Sequence, residues 1–365
     1  MHIVIIGCGI IGATLAYELS LIAGLKITVV DRQPPAQAAT GAALGVLMGI
    51  VSHKVKGKAW QMRETSIQRY ETLIPELEAI ANRRIPFNRQ GILMLLPSPQ
   101  VTTDDLTSWE KLRETRHHQG WQLEILDVAQ LEKICPQVDV KSQEYIGAIH
   151  SPQDRQLDPT ALTLALVEAA KHNGVSFKFG VTALGMKSPN QLETTDGVIT
   201  GDKFIIAAGL GSSALTAQLN QKVDIRPVLG QAIHLRLGHP LAKSEFQPAI
   251  TCNDIYVVPC GAGVYPTTDY WVGATVEFSQ DGGEISADKE LLDATLKSAI
   301  ATCPELAKAD IIRTWSGLRP RPEGRPAPVI EQLPGYDNVI LASAHYRNGV
   351  LLAPATAQMV KEMIL

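Results

Sequence analysis

The sequence predicts an α/β protein in two parts, a Rossmann-like dinucleotide-binding domain and an antiparallel-sheet α+β domain for the substrate. Three observations predict it: a strand, glycine turn and helix at the start, a second glycine turn after a buried strand, and a strand-rich stretch from Val223 to Trp315. The 365 residues, 45% of them hydrophobic, suffice for two or three buried cores. A charged fraction of 19% with a formal net charge of -4 argues against disorder and against a polyanionic partner such as nucleic acid or an anionic membrane.

The first element carries the strongest local signal. His2 to Ile6 is an apolar, β-branched run, followed by Gly7-Cys8-Gly9-Ile10-Ile11-Gly12 and the helix formers Ala13 to Leu19. Gly7 permits the tight turn, Gly9 lets backbone approach a pyrophosphate, and Gly12 lets helix pack on strand. The phosphate would sit on free N–H groups at the positive end of the helix. A second strand, Lys26 to Val30, ends at Asp31, about twenty residues beyond the glycines, where a carboxylate can accept from ribose hydroxyls. Arg32 beside it is compatible with a 2′-phosphate, so FAD, NAD and NADP stay open at this point.

Apolar runs such as Ile3 to Ile6 are far shorter than the roughly 20 residues that span a bilayer. No basic region precedes them, so the start reads as a strand rather than a signal peptide, and the expected location is the cytoplasm. Cys8, Cys135, Cys252, Cys260 and Cys303 are scattered, without a C-x-x-C pair or His at ligand spacing, and read as reduced and structural with no metal. His117 and His118 read as a solvated helix face.

The remaining elements follow in order. Ala38 to Gly45 is too poor in bulky side chains to anchor a core, which leaves its backbone free to approach a ligand. Trp60, Ile67, Tyr70, Ile74, Leu77 and Ile80 recur at helical spacing and predict a helix over 58–81. The pattern becomes strand-like at Pro86, with a charged helix near 106–118. Asp158 as N-cap, Pro159 and Gly174 frame a further helix. An alternating strand over 175–179 precedes a hairpin turning at Asp196-Gly197. The buried strand Phe204 to Ala208 then delivers Gly209-Leu210-Gly211 to the ligand-binding edge of the sheet. Strands at 231–235, 255–259 and 270–275 and a helix over 286–301 form the substrate domain. Val339 to Ala342 is a buried strand, and a closing helix runs from Pro354 to Leu365 with its positive end toward the sheet edge. The expected domains are 1–85, 151–222 and 316–365 for the nucleotide, and 86–150 and 223–315 for the substrate.

The glycine turn, Asp31, Gly45-Val46-Leu47, Tyr256-Val257-Val258-Pro259, Gly273-Ala274-Thr275, Trp315 to Pro320 and His345 to Pro354 together resemble the D-amino-acid oxidase family of flavoenzymes, and its glycine-oxidising branch in particular. The resemblance covers essentially the whole chain and implies FAD, with the glutathione-reductase-2 type of architecture. In sarcosine oxidases the flavin is bonded to a cysteine after the Leu-Arg-Pro segment; Arg321 to Pro328 contains no Cys, which implies non-covalent FAD.

Carried over residue by residue, the resemblance implies that Ile10, Ile11, Asp31, Arg32, Thr40, Gly41, Gly45, Val46, Leu47 and Val181 line FAD, with Arg347, Asn348, Gly349, Val350 and Leu351 beside the flavin ring. The two glycine turns add Gly7, Gly9, Gly12, Ala208 and Gly209. Arg319 matches an arginine that holds the substrate carboxylate, Tyr256 a tyrosine that assists it, and Arg347 a second arginine near the substrate. Without the motif, Arg319 would be one solvated member of a cluster with Arg321 and Arg325, Arg347 a partner for helix carbonyls, and Tyr256 a core residue. Tyr346 and Tyr265 read as packing residues. Two departures from the family pattern, Cys260 and Asp254, fall near the expected substrate entry.

The implied reaction is oxidative deamination of glycine, sarcosine or small D-amino acids by hydride transfer from Cα to the flavin N5, with dioxygen as final acceptor. No side-chain base is expected. A dehydrogenase of the same fold that passes electrons to a quinone or another acceptor, and an FAD-binding protein without turnover, are the alternatives. A homo-oligomer is the assembly such relatives often form.

Overall fold

The computed structural model describes residues 1–98, 100–241, 245–261, 266–279 and 284–365. The opening strand His2–Ile6 lies third from one side of a six-stranded sheet ordered Val329–Gln332, Val339–Ser343, Lys203–Ile206, His2–Ile6, Lys26–Asp31, Ser176–Phe179. Its neighbours run parallel, except that Val329–Gln332 runs antiparallel to Val339–Ser343. A parallel sheet must be covered on both faces, and the opening strand shows how. Ile3 and Ile5 pack among helices Ile10–Ser20, Gly57–Ala81, Pro159–His172 and Gly349–Ile364. Val4 and Ile6 point the other way, toward Leu192 of a three-stranded meander, Ala183–Ser188, Gln191–Thr194 and Gly197–Thr200.

A second sheet has eight strands in the order Asp310–Pro322, Ile225–Arg236, Asp269–Gly273, Ile255–Cys260, Ala249–Cys252, Ile92–Pro97, Tyr145–Ser151, Glu124–Leu126. Its neighbours are antiparallel but for one pair, Ala249–Cys252 with Ile92–Pro97, so the expected antiparallel sheet is mixed at that point. Those two strands come from distant segments that no tight turn connects, which leaves their relative direction free. Helix Lys289–Thr302 covers this sheet through Ala299. The expected boundary at residue 316 falls inside the continuous strand Asp310–Pro322. We propose the two-part division with that boundary moved beyond Pro322. Among the described residues no helix is long and apolar enough to cross a membrane.

Local chemistry corrects several element ends. Ala38–Ala42 forms a short helix rather than an open stretch, because Thr40 and its small neighbours seat it against the first helix. The helix expected from Ser286 starts at Lys289, capped by the Asp288 carboxylate on Glu290 N–H at 2.8 Å. The charged helix starts at Thr103, three residues early, because Thr102 and Asp105 form a reciprocal capping box. The strand expected over 270–275 is Asp269–Gly273. His117 and His118 are exposed, and the five cysteines are free and buried.

The largest correction is the closing helix, which begins at Gly349 and contains Pro354. Proline has no N–H for the carbonyl four residues back, here Val350. The phenol of buried Tyr70 donates to that carbonyl instead, and Ser66 Oγ accepts the displaced Ala355 N–H at 3.2 Å. The long helix Gly57–Ala81 thus repairs the proline gap and lets the closing helix begin five residues earlier. Tyr70→Phe should cost about 1–3 kcal/mol of stability in urea unfolding, and less than about 1 kcal/mol when Pro354→Ala supplies the missing N–H. Equal costs in both backgrounds would refute the repair.

Candidate active site

The carboxyl ends of the parallel strands and the outer strands of the eight-stranded sheet meet at one cleft of about 1510 Å³. Ordinary small-ligand pockets span roughly 300–1,000 Å³, so this cleft has room for an elongated cofactor and a substrate.

One end is built from backbone. Gly7 has φ 106°, and a Cβ there would lie 2.5 Å from the Ala207 carbonyl oxygen. A Cβ on Gly12 would lie 1.8 Å from the Gly7 oxygen, which is the close helix–strand approach the glycine pattern predicts. Helix Ile10–Ser20 begins at Gly9 with no side-chain cap of its own. Thr40 Oγ1 accepts the Ile10 N–H at 3.0 Å and ties the short helix Ala38–Ala42 to this positive end. Asp31 stands at the end of its strand, with Cys8 N–H on Oδ2 at 2.6 Å and Gln33 N–H on Oδ1 at 2.8 Å. Gly209, φ 57°, opens the second glycine turn, and Ser343 Oγ donates to its carbonyl at 3.2 Å. The amino end of Gly349–Ile364 enters the same cleft. Two helix amino ends, a carboxylate at a strand end and glycines that leave no room for Cβ fit a dinucleotide.

The other end carries side chains. Arg319 lies on the edge strand Asp310–Pro322, opposite Val228. Its Nη1 donates to the carbonyls of Leu229 and Thr275, both at 3.1 Å. A Cβ on Gly230 would fall 2.2 Å from Nη2, so this glycine is the space the guanidinium occupies. Burial first, and the charge of Arg347 second, push the Arg319 guanidinium below the ordinary arginine range. Arg321 pairs with Glu323 and Arg325 with Glu331, which leaves Arg319 as the member of that cluster in the cleft. The Tyr256 hydroxyl donates to Met48 Sδ at 3.4 Å, and burial raises the phenol. Trp271 and Trp315 meet edge to face at 6.0 Å between centroids. Trp315 Nε1 donates to the Ala42 carbonyl at 3.1 Å, which joins the edge strand to the short helix of the cofactor end.

Met48 is held by an adjacent clamped loop. Asp154, fully buried, accepts the N–H groups of Gly49, Ile50 and Val51 at 2.8, 2.9 and 3.0 Å. Buried Arg116 donates to the carbonyls of Ile50 and Ser52 at 2.7 and 2.6 Å. The backbone between is fixed by a carboxyl group that accepts its N–H groups and a guanidinium that donates to its carbonyls.

Arg347 forms a two-pronged ion pair with Asp254, 3.0 Å at the shorter contact. Burial works to lower its guanidinium, and the Asp254 hydrogen bond, the Tyr256 phenol and the Asp254 charge together outweigh that and raise it. It follows Tyr346, which has φ 52° and lines the cleft rather than the core. His345, buried beside it, bonds through Nε2 to Thr356 Oγ1 at 2.9 Å.

The cleft brings together Arg319, Tyr256 and Arg347 with most of the expected cofactor residues: Gly7, Gly9, Ile10, Ile11, Asp31, Arg32, Thr40, Gly41, Gly45, Val46, Val181, Ala208, Gly209, Asn348, Gly349 and Val350. Three fall outside its lining. Gly12 acts through helix packing; Leu47 points to the core because Val46 and Met48 on either side of it face the cleft, and Leu351 is buried in the core within the first turn of the closing helix. Asp254 lines the cleft, whereas Cys260 is buried in its strand away from it. Tyr265 lies outside the described residues. Gly230 and Met48 escape motif reading; a glycine within a strand was the one readable signal of close approach.

Residues 2–363 match the family model described as FAD dependent oxidoreductase. The chain is 28% identical over 370 residues to the glycine oxidase of Bacillus licheniformis, covering 99% of this chain and 92% of that protein. It is 30% identical over 379 residues to the bifunctional protein ThiO/ThiG of Synechocystis sp., covering 100% of this chain and spanning 51% of that protein. The crystal structure of glycine oxidase from Geobacillus kaustophilus shares the fold, with a TM-score of 0.86 at 22% identity over 99% of this chain and 94% of that one.

Burial pushes the His345 imidazole from the ordinary 6.5 down to about 3. Between those values the unfolded chain binds a proton that the native chain does not, so this contribution to stability is complete above 6.5 and is lost as pH falls. From pH 7 to pH 5 the loss through His345 should be about 2 kcal/mol. Urea unfolding of His345→Gln should show a pH dependence shallower by that amount; an unchanged slope would contradict a buried neutral imidazole.

Proposed function

The chain belongs to the FAD-dependent oxidoreductase family, and on that premise we propose that it oxidises glycine, sarcosine or a small D-amino acid. The overall balance is amine, water and dioxygen to 2-oxo acid, ammonia or an amine, and hydrogen peroxide. The observation that carries this reading is Arg319. Its Nη1 is anchored on two carbonyls, while Nε and Nη2 make no hydrogen bond among the described residues. A guanidinium fork of this kind matches a carboxylate bidentately.

Bound FAD supplies the two-electron acceptor and the reaction with dioxygen. The chain supplies position and surroundings. Arg319 would hold the carboxylate, with Tyr256 beside it, so that Cα is presented to the cofactor end in one orientation. Trp271, Trp315 and Met48 form apolar walls that limit water at the reacting carbon. The amine must be neutral to give up electrons, and its proton would pass to solvent. His345, the one histidine among the described lining residues, is held neutral at about 3 and spent on Thr356, and Tyr256 is raised. That distribution supports a reaction without a side-chain base.

Non-covalent FAD is part of the proposal. Cys8, the one cysteine among the described lining residues, is buried, and burial raises its thiol. The purified holoenzyme should release all its flavin on acid precipitation. Glycine, sarcosine, D-alanine and D-proline supplied in air should include at least one compound that yields one peroxide per amine consumed. A flavin that no member of that panel bleaches without oxygen would refute the function; bleaching without peroxide in air would identify a dehydrogenase.

A further inference from the structure

The rim of the cleft carries a charge arrangement that the oxidation itself does not require. Asp254 lies on the two-residue turn that joins Ala249–Cys252 to Ile255–Cys260, flanked by the pair Cys252 and Ile255. Both turn residues are left-handed, Asn253 at φ 48° and Asp254 at φ 63°, the pattern of the tight hairpin turn whose geometry leaves little freedom. Across the cleft Arg347 follows left-handed Tyr346 in the turn before the closing helix. Two constrained backbones thus present a carboxylate and a guanidinium face to face, with Nη2 to Oδ1 at 3.0 Å and Nη1 to Oδ2 at 3.3 Å.

Among the described residues at this end, Arg319 and Arg347 are the two guanidiniums that act on each other and Asp254 is the carboxylate paired to one of them; Arg313, also in the lining, lies over the Trp315 ring at 4.8 Å. Arg319 faces Arg347 electrostatically, and the phenols of Tyr256 and Tyr346 are the other groups that bear on both. With Arg347 committed to Asp254, Arg319 is the member of this pair left for a substrate carboxylate. A second carboxylate would have to displace Asp254 from Arg347 and then sit beside its charge. Like charges placed together are a means of rejection as effective as a missing contact.

We propose that Asp254 is a specificity-determining residue. By occupying Arg347 it restricts the site to amino acids with a single carboxylate and excludes amines bearing a second one, on the side chain or on the nitrogen. The inference rests on the proposed role of Arg319.

The test uses the holoenzyme and Asp254→Asn, which keeps shape and removes the charge. Dissociation constants for acetate and malonate, read from perturbation of the flavin spectrum, give a measure that needs no turnover. The ratio of kcat/KM for D-aspartate and iminodiacetate over D-alanine and glycine gives a second. Asp254→Asn should shift both ratios toward the dicarboxylates by about fivefold or more. Adding Arg347→Gln should abolish the shift. Unmoved ratios in a variant that still binds acetate would overturn the inference and leave the oxidase reading standing. A malonate shift in a protein that oxidises none of these amines would support the charge selection and overturn the oxidase reading.

Discussion

A guanidinium drawn into a cleft must find acceptors for its donors, and the way Arg319 finds them organises the substrate end of this molecule. Its two carbonyl partners belong to different segments, Leu229 on the long strand and Thr275 beyond Asp269–Gly273. Those segments are locked together by a two-bond bridge between Leu229 and Glu277, at 2.9 and 3.0 Å. The Glu277 carboxylate is buried and accepts Gln231 Nε2 at 2.9 Å, Asp288 N–H at 2.8 Å and the Thr275 hydroxyl. A buried carboxylate left without donors would cost several kcal/mol, so this segment has little freedom to shift. Gly230 then leaves the space, and the register of twelve residue pairs along Asp310–Pro322 brings Arg319 to it.

The same edge strand connects the proposed substrate and cofactor ends of the cleft. Trp315 reaches Ala42, and a Cβ on Gly317 would lie 2.3 Å from the Ala42 side chain, so strand and short helix touch without intervening side chains. The short helix is tied in turn to the first glycine turn through Thr40. A chain of close contacts therefore relates the proposed carboxylate site to the proposed nucleotide site. Position is what the proposed reaction asks of the protein, because the shifted groups in the cleft, His345 downward and Tyr256 upward, move away from the range in which a base would act.

Much of this was legible in the residues, for a physical reason. Gly7, Gly9, Gly12 and Gly209 act through backbone conformation and Asp31 through its place at a strand end, both of which sequence spacing reports directly. What was not legible depends on partners far away in the chain. The closing helix begins at Gly349 because Tyr70, 280 residues earlier, serves the carbonyl that Pro354 leaves open. Arg319, Arg321 and Arg325 alternate along one segment, and only the fold shows that Glu323 and Glu331 take the latter two. The engagement of Arg347 by Asp254 arises from two turns that face each other across the cleft, and composition carries no trace of it. The short helix at Ala38–Ala42 was hidden because its small residues carry no apolar periodicity, although alanine itself favours helix.

The claim on which the account stands is that Arg319 binds the carboxylate of an amine that the bound flavin oxidises. Anaerobic rapid-mixing reduction of the flavin by the best substrate, compared between the wild type and Arg319→Ala, measures it most directly. Two charge-assisted hydrogen bonds are worth about 1.5–3 kcal/mol each, so the half-saturating substrate concentration should rise by about a hundredfold or more while the flavin stays bound. An unchanged half-saturation and unchanged reduction rate would contradict the account.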